Sequence, residues 1–99
     1  MYFTYILFSG KTNSFYKGQT NDLKERLRRH NSGHEKSTKS GCPWLLLWST
    51  KKNTRANAIK LEAKLKNLTK QKLIDFMLKF AEGFEGPDEL LLVQQMSGY

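Results

Sequence analysis

The opening stretch, residues 1 to 20, constrains the fold more than any other part of the chain. Tyr2 to Phe8 is dense in aromatic and β-branched side chains, and Ser14 to Thr20 resumes after the turn-forming cluster Ser9-Gly10-Lys11-Thr12-Asn13. Two such runs around a loop of about five residues predict a β-hairpin. Further on, Trp44-Leu45-Leu46-Leu47-Trp48 is a short apolar run between turn signals and reads as a buried strand. Trp44 and Trp48 share parity along it and are expected on one face of the core.

Helices fill the intervals. Thr20 and Asn21 offer cap oxygens, Asp22 and Glu25 suit a first helical turn, and Arg28, Arg29 and His30 suit a last one, which predicts a helix over about 21–30 closed by Asn31-Ser32-Gly33. Ser32 to Pro43 is polar, with two Gly and two Lys, and reads as a loop. Lys51 to Asn53 form a turn, after which Ala58, Leu61, Leu65 and Leu68 recur at helical spacing from Thr54. Thr69 caps a third helix carrying Leu73, Ile74, Phe76, Met77 and Phe80. The predicted class is α/β, a small, mostly antiparallel three-stranded sheet flanked by helices in the order β-β-α-β-α-α.

Beyond Phe80, Glu82 to Glu89 holds two Gly, a Pro and four acids and is expected to break any helix. The expectation is a domain over 1–80 followed by an acidic tail over 81–99. Leu90-Leu91-Leu92-Val93 within that tail leaves three readings open: a short strand, a homodimer contact, or a segment packing back on the core.

Ninety-nine residues suffice for one core and exclude several domains. Cys42 is the only cysteine, which excludes an intrachain disulfide and fits a reducing compartment. No apolar run approaches the roughly 20 residues of a membrane span, and no signal peptide is expected, so the expected location is cytoplasmic. The charge is uneven. Residues 1–72 carry sixteen Lys and Arg against four acids, a net +12, whereas residues 73–99 carry one Lys against five acids, a net −4. A basic field of that size attracts polyanions, nucleic acid above all.

Tyr5 and Tyr16 stand eleven positions apart, Tyr16 opens Tyr16-Lys17-Gly18, and Arg26, His30 and Glu62 follow in that order. This ordered set resembles the GIY-YIG nuclease family, over about residues 2–78. Phe15 to Leu23, the Arg26 to His30 spacing, Asn31-Ser32-Gly33 and Pro43-Trp44 are similar to its small standalone members, related to the nuclease domain of the UvrC excision-repair subunit. Two positions differ: Phe3-Thr4-Tyr5 stands where the family name has Gly-Ile-Tyr, and Gln19 stands where UvrC-type domains tend to have Lys.

The resemblance implies a GIY-YIG-like fold and a metal-dependent endonuclease acting on DNA, with a link to DNA repair. Tyr5, Tyr16, Arg26, His30 and Glu62 are the implied catalytic set. Glu62, the only carboxylate between Glu35 and Asp75, would hold Mg²⁺ or Mn²⁺. Arg26 and His30, one turn apart, could both reach one phosphate, with Arg26 stabilising its transition-state charge. Tyr16 is the implied general base. A phenol of pKa about 10 is only about 0.1 per cent ionised at pH 7, so this role needs nearby cations such as Arg26, Lys17 or the metal. Lys17, Gly18, Arg28, Arg29, Lys36 and Lys39 would follow flanking phosphates without reading bases. The residues alone leave other readings open: Glu62 paired with Lys66 on a solvated helix, His30 as a helix-end partner, and the tyrosines as cross-strand packing. A binding module without catalysis and a protein-interaction domain are the rival classes, and RNA is an alternative substrate.

Overall fold

β1 (Tyr2–Ser9) is the most apolar strand and takes the centre of the sheet, with β2 (Ser14–Thr20) and β3 (Leu45–Lys52) antiparallel on either side. The computed structural model describes residues 1–98. In the hairpin turn Asn13 adopts a left-handed conformation (φ 51°), which a short polar side chain tolerates. The predicted three-stranded antiparallel sheet with flanking helices is present, extended by one helix.

Alternation along β1 sends its side chains to two faces. Tyr5 and Leu7 meet Trp44 and Leu46, with Leu23 and Leu27 of α1 (Leu23–Asn31) packed against them. Ile6 joins Leu47, Trp48, Leu65, Leu73, Ile74, Met77 and Val93 in the larger cluster. α2 (Arg55–Lys66) and α3 (Lys70–Lys79) supply that cluster, capped by Thr54 and Thr69 as expected; each hydroxyl accepts from a backbone N–H three residues on, at 3.1 and 3.2 Å. Thr4 ties the sheet to α2, its hydroxyl donating to the carbonyl of Ala58 at 2.8 Å.

Four sequence expectations need correction. The cap of α1 is Asp22, which accepts from the Glu25 N–H at 3.1 Å, while the Thr20 hydroxyl accepts from the Asp22 N–H. β3 runs on to Lys52 because the polar stretch Ser49 to Lys52 still finds a ladder partner in Tyr2 to Tyr5. Trp44 and Trp48 are both buried, but they do not share a face. Ile6 pairs with Trp48 and Leu7 with Leu46, so Leu47 is an extra residue that resets the parity. Trp44 therefore joins the α1 side and Trp48 the other.

The fourth correction concerns the acidic segment. Pro87, Asp88 and Glu89 do not break a helix; they start one, α4 (Pro87–Met96), with Pro in the first turn and acids at the positive end of the helix dipole. Val93 is fully buried in the larger cluster, with Leu92 and Met96 packed against it, so the segment packs back on the core. Before α4 the chain bridges β3: the Glu85 N–H donates to the carbonyl of Leu47 at 3.0 Å, and Phe84 pairs with Trp48. Gly83 is needed there, since a Cβ would collide with the Trp48 indole. Tyr99 lies outside the described residues. Among the described residues no helix is long and apolar enough to cross a membrane.

Candidate active site

The central strand holds Tyr5 at 1% exposure, directly opposite Gly18 of β2. A Cβ at position 18 would lie 2.5 Å from the Tyr5 hydroxyl oxygen and 2.6 Å from Cζ. Gly18 is itself buried, so its part here is to seat the phenol ring, in place of the phosphate contact expected from sequence.

From that seat the Tyr5 hydroxyl lies 2.9 Å from His30 Nε2, and His30 Nδ1 lies 3.1 Å from Thr38 Oγ1. The Arg26 guanidinium, one turn before His30 on α1, is within hydrogen-bonding reach of the same hydroxyl. An arginine so placed can only donate to the Tyr5 oxygen, while one proton joins Tyr5 to His30 Nε2, on the side that the His30 tautomer sets. Tyr5 and Thr38 together engage both ring nitrogens of His30.

Burial pushes the Tyr5 phenol up to about 12, with the neighbouring Arg26 opposing the shift and Tyr16 and Glu62 adding to it. Burial, then the Arg26 cation, pushes the His30 imidazole below its ordinary value, so the ring is neutral. At 1% exposure, with both nitrogens engaged inside the protein, His30 neither reaches a phosphate at the surface nor acts as a charged helix-end partner. It is a support behind Tyr5 and Arg26.

Tyr16 presents a different environment. It is half-buried on β2, its ring 6.4 Å from Tyr5, 4.7 Å from His30 and edge-on to Trp44 at 6.2 Å. Among the described residues nothing hydrogen-bonds its hydroxyl. α2 lies against β2 and β1 and brings Glu62 and Lys66, one turn apart, toward this pair of tyrosines. The Glu62 carboxylate lies within electrostatic reach of Tyr5, and the Lys66 ammonium within reach of Tyr16. Glu62 is mostly buried, its side chain 17% exposed, and its carboxylate takes the Lys66 ammonium at 2.9 Å. That hydrogen bond raises the Lys66 pKa, whereas burial and then the Lys66 charge lower that of Lys17 alongside.

No group of three or more His, Cys, Asp or Glu that could hold a metal ion occurs among the described residues. Glu62 is thus a single-carboxylate position. That donor set fits Mg²⁺ or Mn²⁺, which accept one protein carboxylate and leave other positions for water and phosphate oxygens.

The outer cations are arranged unequally. Arg28 is held by Glu25 through two hydrogen bonds of 2.7 and 2.9 Å, and Arg29 stands 3.7 Å from Glu35. Lys36 and Lys39 are exposed on the loop that Thr38 anchors. Sequence reasoning passed over Thr38, Lys66 and Arg55. Arg55 joins Arg26, Tyr2, Gln19, Thr20 and Asn21 around a groove of about 290 Å³. The available signal was its type: Arg55 is the one Arg outside the first helix in a chain with thirteen Lys.

An antiparallel three-stranded sheet presenting two tyrosines, an arginine, a histidine and a helix-borne glutamate defines a class, the GIY-YIG catalytic domain, whose family model matches residues 1–75. The chain belongs to that family. It is similar to UPF0213 proteins: one from Bacillus velezensis is 38% identical over 72 residues, covering 72% of each chain. YazA of Bacillus subtilis is 40% identical over 63 residues, 63% of this chain and 64% of that protein. The solution NMR structure of a UPF0213 protein from Bacillus halodurans superposes with a TM-score of 0.51 at 31% identity, over 90% of this chain and 92% of that one.

Proposed function

We propose that the chain is a metal-dependent endonuclease that hydrolyses DNA phosphodiester bonds. The observation that carries this reading is the convergence of Tyr5 and His30, joined by a hydrogen bond, with Arg26, Tyr16 and Glu62 beside them. Membership of the GIY-YIG family supports it.

Arg26 binds the scissile phosphate and offsets charge on the pentavalent phosphorus, because a guanidinium stays protonated at any working pH. Tyr16, as its phenolate, takes a proton from the attacking water while the water oxygen bonds to phosphorus; the bond from phosphorus to the leaving oxygen breaks, and that oxygen takes a proton from solvent. Between the two phenols this role falls to Tyr16, since burial keeps Tyr5 protonated and its hydroxyl is engaged by Arg26 and His30. Tyr5 and His30 hold Arg26 in place. Glu62 would hold a Mg²⁺ or Mn²⁺ ion, which would supply Lewis-acid stabilisation of the leaving oxygen. Lys66, 2.9 Å from that carboxylate, brings a second cation to the edge of the site, where a phosphate oxygen can meet it.

The test is cleavage of labelled single-stranded, duplex, flap and four-way-junction DNA and of RNA, in Mg²⁺, Mn²⁺ or EDTA, by wild type and Glu62→Ala. Metal-dependent cutting of DNA that disappears in the folded variant supports the proposal. Binding without cutting in any metal favours a binding module, and neither favours an interaction domain.

A further inference from the structure

The groove beside Arg26 contains two guanidinium groups and no carboxylate. Tyr2, Gln19, Thr20, Asn21, Arg26 and Arg55 line about 290 Å³, enough for a phosphate group and several waters at about 30 Å³ each. Arg55 is exposed and makes no ion pair among the described residues. The nearby acids of α1 are used: Asp22 caps the helix and Glu25 clamps Arg28. Arg26 Nε is, moreover, a buried donor without an acceptor among the described residues. Two permanent cations in a shared polar groove repel one another until an anion enters, and such an unpaired donor is costly until it finds an acceptor.

We infer that this groove is the subsite for a phosphate flanking the scissile one, with Arg55 as its principal ligand. The inference rests on the nuclease reading and extends it by giving the strand a direction. The DNA backbone leaves Arg26 and passes between the first turns of α1 and α2. It does not run along the outer side of α1, where Arg28 is already paired. Gln19, Thr20 and Asn21 line the path with uncharged donors and acceptors.

The decisive experiment is binding of a labelled short duplex in EDTA over a salt series, comparing wild type, Arg55→Ala and Arg28→Ala. Arg55→Ala is expected to weaken binding about 10-fold at low salt and to lower the log–log salt slope by about 0.9, the loss of one phosphate contact, with Arg28→Ala changing both much less. An unchanged slope in Arg55→Ala, with the loss appearing in Arg28→Ala, would overturn the inference. Should wild type not bind DNA, the nuclease reading fails separately, and the groove is judged by NMR titration with pyrophosphate. Shifts at the Gln19, Thr20 and Asn21 amides that vanish in Arg55→Ala uphold an anion subsite; shifts confined to surface lysines overturn it.

Discussion

The two faces of the sheet are packed with different chemistry. On the side of α2, α3 and α4, Ile6, Leu47, Leu65, Leu73, Met77 and Val93 are buried together, and the polar groups there bond to backbone carbonyls, Trp48 donating to Phe80 and Thr4 to Ala58, each at 2.8 Å. On the side of α1, Tyr5, His30 and Thr38 are just as buried but linked through hydrogen bonds, among only a few apolar neighbours. The larger face can lose or gain a methyl group without altering any proton or charge. The smaller face is a chain of single-partner contacts ending at Arg26. Stability is therefore concentrated on one side and chemistry on the other, with Glu62 brought to the tyrosines by a helix of the stable side.

Substitutions can break that division. Leu65→Ala on the larger face is expected to lower unfolding free energy by about 2–5 kcal/mol, measured by urea denaturation, while the cleavage rate per folded molecule is unchanged. Tyr5→Phe on the smaller face removes the hydroxyl that pairs with His30 and lies beside Arg26. It should cost about 1–3 kcal/mol and reduce cleavage as well, the joint loss that distinguishes this face. If Leu65→Ala damages the rate as much as Tyr5→Phe, the faces are not separable.

A pH series sharpens the same contrast. The folded pKa of His30 lies below the unfolded value of about 6.5, so the unfolded chain binds more protons as pH falls through that value. The stability contributed by neutral His30 is thus present above pH 6.5 and is lost progressively below it. Melting temperature measured from pH 5 to 8 should fall on the acid side, and His30→Gln should remove part of that slope. The smallest effect belongs to the surface: Arg28→Ala breaks an exposed pair and should leave the melting temperature within experimental error.

What could be read in advance was what the local chain specifies. Tyr5 and Tyr16 come together because a short hairpin sets their register, and Arg26 and His30 share a side because helical spacing puts them there. Glu62 was identifiable only through its place in the family's ordered set, since a lone acid on a basic helix otherwise suggests its Lys66 pair. The remainder depends on contacts between distant segments. The extra residue Leu47, which separates Trp44 from Trp48, exists only in the pairing of β3 with β1. His30 read as a phosphate contact or as a helix-end cation because nothing near it in sequence announces burial under Tyr5 and Thr38. Glu82 to Glu89 looked like a breaker because Pro and acids mark a helix start only when an apolar face follows, here Val93 and its neighbours.

Cleavage depends on which phenol moves the proton. Single-turnover cleavage of DNA in Mg²⁺, followed from pH 6 to 10 for wild type and Tyr16→Phe, tests this most directly. The wild-type rate should rise with pH, and Tyr16→Phe should be slower by about 10²–10⁴-fold with the rise abolished. A Tyr16→Phe protein that keeps the wild-type rate and pH profile would contradict the account.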